Sequence, residues 1–377
     1  MVEVPIETAT ADRMAVRGST PAASMSRVAL PCADLVATID FFCNELGFQL
    51  NNIWPADSPA RAIVSLPGLQ LELRLDPVAD PLVAGRIIVV SDDSFDRGIR
   101  SMSAPNGTFV EIIRSAPELD VPPLQSSFVV SRLDDDSSWI TGRAGMRYRD
   151  LIPDRLGGRF ISSHIEILDG GPVPDYVHFH DVRFQMIFCA RGWVEVVYED
   201  QGEPFVLHAG DCVLQPTKIR HRVLNASPGL EVVEVGCPAE HLTTRDHDIE
   251  LPTGLLRPDR DFAGQRFVRH VAVDADYGPW RASGMVCRDS GIGAATFGLA
   301  QAVVARPTVA DDGDVVGPVV HHGEFLQLFV LGGQATMHVD GRGVVPLQRA
   351  TSVVVPAGEQ FSLSEISEDF EVLDISL

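Results

Sequence analysis

Residues 178–192 read HFHDVRFQMIFCARG, and residues 210–225 read GDCVLQPTKIRHRVLN. Side chains two residues apart on a β-strand lie on the same face, so His178 and His180 are expected to point in one direction. A hairpin between Gly192 and Gly210 would bring His221 back beside this pair. Neutral imidazole is a good ligand for several divalent transition metals. The spacing therefore predicts one mononuclear metal site and leaves the metal open.

The two stretches resemble the two signature motifs of the cupin superfamily. The residues that carry the resemblance are His178, His180, Gln185, Gly192, Gly210, Pro216, His221 and Asn225. Three positions depart from the usual pattern: Gln185 replaces Glu, Lys218 replaces Gly, and Gly171 lies one residue further from His178 than the pattern expects. The alternative, that the histidines only fill a polar barrel, is disfavoured by the joint spacing. The resemblance implies a β-barrel that holds one divalent metal, with Fe(II) favoured and Zn, Mn or Ni as alternatives.

A second, weaker copy of the pattern follows the first. Arg149-Asp150 opens one half and Arg288-Asp289 opens the other, and each pair precedes a strand that carries histidine. An alignment of Gln327 with Gln185 and of Pro356 with Pro216 gives the following matches: Val320 on His178, His322 on His180 and Phe361 on His221. Because one imidazole of three remains, we expect a degenerate second cupin that completes a bicupin. A weak site that uses His321 and Glu324 is the alternative.

Strand signals dominate after residue 125. Short segments rich in Val, Ile and Phe, broken by Gly, Pro, Asp and Asn, predict strands at 160–168, 184–187, 194–198, 211–215, 230–235, 325–330, 335–339, 351–355 and 370–375. The clearest helix covers 35–46, with Asp34 as its cap and Gly47 as its stop. We predict a mainly β protein in which two tandem cupin barrels follow a βαβββ-type α+β domain. The predicted boundaries are a flexible leader at 1–25, the α+β domain at 26–115, a linker at 116–127, the first cupin at 128–253 and the second at 254–377.

The N-terminal region resembles the vicinal-oxygen-chelate family of glyoxalases and extradiol dioxygenases. The residues that carry this resemblance are Asp34-Leu35, Phe41-Phe42, Leu46-Gly47-Phe48, Gln70 to Leu73 and Ala104 to Glu111. In that family a histidine seven residues before the Asp of each repeat binds metal, but here Arg27 and Arg86 stand at these positions. Arginine does not ligate cations and pairs with carboxylates instead. We therefore expect each arginine to pair with Glu72 or Glu111, in a domain that is structural, dimerising or anion-binding.

The composition excludes several classes of partner. Asp and Glu outnumber Lys and Arg by 52 to 30, which gives a formal net charge of −22. Nucleic acids and anionic membranes both need a positive surface, so neither is expected as a partner. No apolar run is long enough to span a membrane, and the first residues lack the apolar stretch of a signal peptide, so a cytoplasmic location is expected. The six scattered cysteines favour free thiols over disulfides or metal ligands.

The cupin resemblance also implies a reaction class. Three histidines that leave coordination positions open imply an Fe(II)-dependent dioxygenase, which acts on a small anionic, oxygen-rich or aromatic chelating substrate and O2. Gln185, Arg220 and Tyr176 are the candidate catalytic residues, and a homodimer is a further expectation. The neutral Gln185 leaves the metal its full charge, so we expect a preference for anionic chelators. Two alternatives stay open: a redox-neutral isomerase or lyase, and a non-catalytic protein that binds a small molecule.

Overall fold

The computed structural model describes residues 27–54, 59–77, 86–91, 100–114, 119–133, 139–142, 145–308 and 315–377. The chain divides into two compact units, 1–118 and 119–377, and this division falls inside the predicted linker. None of the helices in the described ranges is long and apolar enough to cross a bilayer. The six cysteines are free thiols, as predicted.

The first unit contains one complete βαβββ module. Its elements are β1 Arg27–Cys32, α1 Leu35–Asp40, β2 Gln49–Trp54, β3 Arg61–Leu66 and β4 Leu69–Leu75, followed by β5 Arg86–Ser91, β6 Arg100–Ser103 and β7 Phe109–Arg114. The first sheet has the order β1-β4-β3-β2 and the second has the order β5-β7-β6. The Asp34 carboxylate caps α1 by accepting from Ala37 N at 2.9 Å, and a π-helical turn, Phe41–Glu45, continues the helix. The helix predicted at 35–46 is therefore present, with a change of pitch at its midpoint.

The two arginines of this unit have different partners. Arg86 Nη1 lies 3.6 Å from Glu111 Oε2, which confirms the expected ion pair. Arg27 Nε donates instead to the amide oxygen of Gln70 at 3.0 Å, while Glu72 pairs with Arg74. Among the described residues Arg27 pairs with neither Glu72 nor Glu111, because the parallel register places it opposite Gln70. The resemblance of this unit to the vicinal-oxygen-chelate family stays a prediction.

The second unit is built almost entirely from strands. They are β8 Val129–Ser131, β9 Trp139–Thr141, β10 Arg147–Asp150, β11 Ile161–Ile167, β12 Gly171–Pro172, β13 His178–His180, β14 Phe184–Arg191, β15 Trp193–Tyr198, β16 Phe205–His208, β17 Cys212–Leu214, β18 His221–Ala226, β19 Leu230–Cys237, β20 Thr243–Arg245, β21 Val268–His270, β22 Tyr277–Pro279, β23 Met285–Asp289, β24 Gln301–Pro307, β25 Val316–Val320, β26 Leu326–Gly332, β27 Gln334–Val339, β28 Gly343–Gln348, β29 Ser352–Val354, β30 Gln360–Ser364 and β31 Glu371–Ser376. Short helical segments are α2 Arg155–Gly158, α3 Ile292–Ala295 and a 3₁₀ turn, Ala272–Asp274. Every strand predicted after residue 125 is present.

These strands form two barrels of similar construction. The first combines a seven-stranded sheet, β21-β17-β14-β19-β11-β10-β9, with a smaller sheet, β16-β15-β18-β13-β20. The second combines a seven-stranded sheet, β22-β23-β24-β31-β26-β29-β8, with a smaller sheet, β25-β30-β27-β28. The predicted mainly β fold with tandem barrels is confirmed.

Each seven-stranded sheet has two buried faces. In the first barrel, Phe184, Met186 and Phe188 of β14 belong to a core that also contains Phe329 of β26 and Phe325, the residue before it. The alternate residues of these strands face the barrel interiors. Phe160, just before β11, stacks on Phe325 with ring centroids 4.4 Å apart. Because both faces are apolar, the strands carry near-continuous hydrophobic runs rather than alternating polar residues.

Two short strands cross between the barrels. β8, which precedes the first barrel in sequence, pairs with β29 at the edge of the second barrel's sheet. β21, which follows the boundary predicted at residue 253, pairs with β17 at the edge of the first barrel's sheet. The pairing therefore crosses the predicted domain boundaries in both directions, and each large sheet has an edge strand that lies beyond them.

A buried charge network joins the barrels. Arg149 Nη2 donates to the carbonyl of Ala350 at 2.8 Å and to His164 Nδ1 at 3.1 Å. His164 Nε2 then lies 2.9 Å from Glu231, which also accepts from Arg349 at 2.5 Å. This geometry needs neutral His164, with its proton on Nε2. Burial accordingly lowers the pKa of His164, and hydrogen bonds from His164 and Arg349 outweigh burial and lower the pKa of Glu231 to about 2.

The network predicts that mild acid destabilises the fold. Between the lowered folded-state pKa of His164 and its unfolded value of about 6.5, only the unfolded chain binds the proton. The contribution of neutral His164 to the free energy of unfolding is therefore fully present above about pH 6.5 and is lost as the pH falls. The stabilising contribution of ionised Glu231 is complete above the pKa of an unfolded glutamate, 4.5, and is lost only as the pH falls from there toward about 2. Urea unfolding at pH 7.5 and pH 5.5 should show a larger loss for wild type than for His164→Gln, whose amide can keep both hydrogen bonds without titrating. Equal losses would contradict this account.

Candidate metal centre

Three histidines of the first barrel converge on one point. His178 and His180 lie on β13, and His221 begins β18 directly opposite His178 in the antiparallel register. Their nearest ring nitrogens all lie within 4.8 Å of one another. His178 and His221 are buried and His180 is half-buried. The predicted return of His221 beside the first pair is therefore present in the structure.

The second nitrogen of each ring is held by a neighbouring group. His178 Nδ1 donates to the Tyr176 carbonyl at 2.8 Å, and His221 Nδ1 donates to the Ile219 carbonyl at 3.0 Å. His180 Nδ1 lies 3.0 Å from the Thr243 hydroxyl. A carbonyl can only accept, so the proton of His178 and of His221 is on Nδ1 and the lone pair is on Nε2. A ring whose second nitrogen is held by a neighbouring oxygen in this way is typical of metal-binding histidines. The donor set fits one divalent transition metal.

The histidines lie beside a mostly apolar cavity of about 90 Å³. Its apolar wall comprises Met146, Ile165, Ile167, Ile187, Val194, Val196, Leu207, Val223, Leu230 and Val232. The polar part of the lining comprises Tyr148, His178, His180, Tyr198, Gln215, His221, Arg222 and Glu234. An apolar wall with several convergent polar groups is typical of small-molecule sites. Tyr198 stacks on His221 with ring centroids 5.5 Å apart, and its hydroxyl donates to the Gln215 side-chain oxygen at 2.5 Å. Burial, with a smaller effect of Glu234, raises the pKa of Tyr198 far above its usual range, so its phenol stays protonated.

Glu234 brings a carboxylate to the cavity wall. Gln185, which is buried on β14, donates its amide N–H to Glu234 Oε1 at 2.6 Å. The two side chains come from adjacent strands, β14 and β19, and both point into the barrel. Because this acid and Arg222 both line the cavity, Gln185 alone does not set the charge around the histidines, and the preference for anionic chelators stays a prediction. Gln185 is placed to orient this acid, and its role in catalysis stays a prediction.

The two other catalytic candidates lie around the histidines. The Tyr176 ring packs against His178 with centroids 5.7 Å apart, and the Arg245 guanidinium lies over the same ring, 4.7 Å from its centroid. Arg220 Nε donates to Asp246 at 3.0 Å, and its guanidinium lies over the Phe179 ring. Neither residue is among those that line the cavity. Their predicted catalytic roles stay predictions, and their contacts are those of residues that support the strands bearing the histidines.

Several residues of the site escaped prediction, among them Tyr198 and Thr243. Tyr198 could have been found from its strand, since Val194, Val196 and Tyr198 alternate and share the inward face. No local sequence pattern could have identified Thr243, because it reaches His180 only through the pairing of β20 with β13.

The second barrel aligns differently from the sequence prediction. In the first barrel, Lys218 N donates to the carbonyl of His180; in the second, Gly358 N donates to the carbonyl of His321. His321, and not His322, therefore occupies the position of His180. The strand pairing then places these residues at the three imidazole positions: Val319, His321 and Phe361. With one imidazole, the second barrel is degenerate as expected.

The same one-residue difference affects the glutamine. Gln327 faces the core between the barrels and donates to Ser352 at 2.8 Å, so Leu326 takes the place of Gln185. A shift of one residue on a strand moves a side chain to the opposite face. The proposed weak site also fails, since Glu324 pairs with Arg159 and Arg183. Within the described ranges, the three histidines of the first barrel are the single group with metal-binding spacing.

Comparisons with known proteins agree with this architecture. Residues 164–235 match the family described as Cupin domain. The chain is similar to a salicylate 1,2-dioxygenase from Pseudaminobacter salicylatoxidans, with 16% identity and a TM-score of 0.51 over 68% of this chain and 86% of that chain. Lower TM-scores relate it to a glyoxylate-induced protein from Pseudomonas aeruginosa (0.49, 13% identity, 69% of this chain and 92% of that chain) and to the 7S globulin of Momordica charantia (0.46, 12%, 66% and 84%). No curated protein sequence matches the chain. The second unit therefore has the cupin fold, with a cupin domain at 164–235.

The geometry predicts one tight metal per chain. His178→Ala, His180→Ala and His221→Ala should each abolish stoichiometric binding, because each removes one of three ligands. His321→Ala and His322→Ala are matched controls in the second barrel and should leave the metal content unchanged. Elemental analysis of the purified proteins after reconstitution measures this. Two equivalent metals per chain would contradict the assignment.

Thr243 provides a finer test. Thr243→Val keeps the shape of the side chain but removes the hydroxyl that contacts His180 Nδ1. Loss of such a partner lowers metal affinity by roughly 10- to 100-fold, and we expect about tenfold because water can reach this exposed threonine. Thr244→Val, at the alternate position of the same strand, is the control. A competition titration with a chelator gives the affinities, and equal values for the two variants would refute the role of Thr243.

Proposed function

We propose that this protein is a mononuclear metal-dependent dioxygenase that acts on a small chelating substrate, with Fe(II) as the favoured metal. One observation carries the proposal: three imidazoles converge beside a mostly apolar cavity, and no carboxylate in the described ranges joins their group. Three protein ligands leave coordination positions for substrate and O2. A site closed by four protein ligands would favour a structural metal instead.

The residues of this chain would divide the work as follows. His178, His180 and His221 would hold the metal, which when bound supplies Lewis acidity and, as iron, one-electron chemistry. The apolar wall would bind the body of the substrate and keep water away from it. Tyr198, which stays protonated, would maintain the orientation of His221 by stacking. Tyr176 would fix the tautomer of His178 through its carbonyl.

The similarity to salicylate 1,2-dioxygenase supports the proposal at the level of fold. That enzyme is named for an aromatic substrate, and the cavity of this chain has a wall suited to an aromatic or aliphatic body. At 16% identity the likeness does not extend to the reaction. The reaction class therefore rests on the histidine geometry and needs a direct measurement.

Oxygen consumption is that measurement. The Fe(II)-loaded protein should consume O2 in the presence of a small chelating substrate drawn from a panel of catechols, hydroxybenzoates and diketones. The same protein loaded with Zn should bind the substrate without consuming O2, because Zn has no accessible redox change. The His221→Ala variant controls for oxidation of the panel by loosely held iron.

Each rival predicts a different result. A redox-neutral isomerase or lyase would convert a compound in the Zn-loaded protein under argon. A binding protein would take up a compound stoichiometrically with no product in either form. Either result would overturn the dioxygenase assignment, while the metal centre itself would stand.

A further inference from the structure

The two barrels carry an acid at the same inward position. Glu234 pairs with Ile187 of β14, and Asp374 pairs with Leu328 of β26. The corresponding partners on the other side are Ser163 and Val303. The equivalence follows from the backbone alone. Glu234 and Asp374 therefore occupy structurally equivalent positions in the two barrels, but their surroundings differ.

In the second barrel, side chains of the protein donate hydrogen bonds to both oxygens of this carboxylate. Trp280 Nε1 donates to Asp374 Oδ2 at 2.9 Å, and Arg281 donates to Asp374 Oδ1 at 2.8 Å. Asp374 is 1% exposed, and Trp280 belongs to the core that fills the barrel. N–H donors from one short segment thus occupy the space in front of the acid.

In the first barrel, a glycine stands at the position of this tryptophan. Trp280 N donates to the carbonyl of Met285, and Gly142 N donates in the same way to the carbonyl of Met146. Gly142 therefore stands where the second barrel has its tryptophan, and it brings no donor. The ring of Tyr148 lies 2.7 Å from the place where a Cβ at position 142 would be, and Tyr148 lines the open cavity.

Glu234 consequently has acceptor capacity that the described residues do not use. Its described side-chain hydrogen bond comes from Gln185, and it takes part in no ion pair within the described ranges. A carboxylate in an apolar wall is costly unless donors satisfy it. The Gln185 amide fixes one oxygen and leaves lone pairs that face the cavity.

We propose that Glu234 is the specificity-determining residue of the first barrel, and that it accepts a hydrogen bond from an N–H or O–H group of a small ligand whose apolar body fills the cavity. The ligand would thus do for Glu234 what Trp280 and Arg281 do for Asp374. Gln185 is a positioning residue that orients the carboxylate. The inference rests on the proposed function in one respect, since it names a chemical class for the ligand of that same cavity.

Small aromatic probes test this inference by calorimetric titration of the full-length, Zn-loaded protein. Phenol and benzylamine carry a donor, whereas anisole and toluene have similar bodies without one. We expect the donor-bearing probes to bind about tenfold more tightly than anisole, as for a hydrogen bond to a charged group. A comparison of phenol with benzylamine distinguishes a hydroxyl from an ammonium donor.

Substitutions of Glu234 assign the preference to its carboxylate. In Glu234→Gln, the new side-chain oxygen would accept from Gln185 and its NH2 would face the cavity, so the preference should disappear or turn toward anisole. Glu234→Asp places there the acid that the second barrel uses, and it should keep the preference for donors. Glu195→Gln, on the outward face of β15, is the control and should behave as wild type.

Three outcomes would overturn the inference: equal binding of phenol and anisole by wild type, a preference unchanged by Glu234→Gln, or no binding of any probe. The titrations involve neither oxygen nor turnover. Their failure would leave the oxygen test unaffected, and failure of the oxygen test would leave a preference for donor-bearing ligands standing.

Discussion

Both faces of the two seven-stranded sheets are buried, and this constraint positions nearly everything else in the second unit. One face of each sheet packs into the core shared by the barrels, where Phe160 stacks on Phe325. The other face lines a barrel interior, so successive residues of β14 and β19 alternate between structural and site positions. A one-residue register change would turn Gln185 and Glu234 away from the barrel interior and put their apolar chain neighbours in their place. The metal centre thus depends on apolar packing on the far side of the same strands.

Much of this could be predicted because the sequence contains local signals with few solutions. His178 and His180 are two apart on a strand, and the glycines at 192 and 210 bound a hairpin that returns the chain to His221. Turn residues bound the strands, so the position of each strand can be predicted directly from the sequence. The helix cap at Asp34 is equally local. In each case the structure follows from residues near one another in the chain.

Predictions failed where the answer depends on distant partners. The second barrel was aligned through Gln327, but the backbone pairing places Leu326 at that position, and sequence identity alone cannot detect such a shift. The charge of the site could not be derived from Gln185 alone, because Glu234 reaches Gln185 across a strand pairing that no local pattern specifies. Arg27 donates to Gln70 rather than to Glu72 or Glu111 for the same reason. Cross-strand register, rather than strand identity, limits what the sequence reveals here.

The exchange of short strands has a consequence for any attempt to divide the second unit. A gene fragment that stopped at residue 253 would encode a first barrel without β21 and would leave the backbone of β17 unpaired along one side. A fragment that began after that point would lack β8 and expose β29 in the same way. Unpaired sheet edges recruit strands from other molecules, so such fragments would be prone to aggregate or to exchange segments. Because each large sheet is completed by a strand from the other side of the predicted boundary, we expect the two barrels to fold well only when they are expressed as one chain.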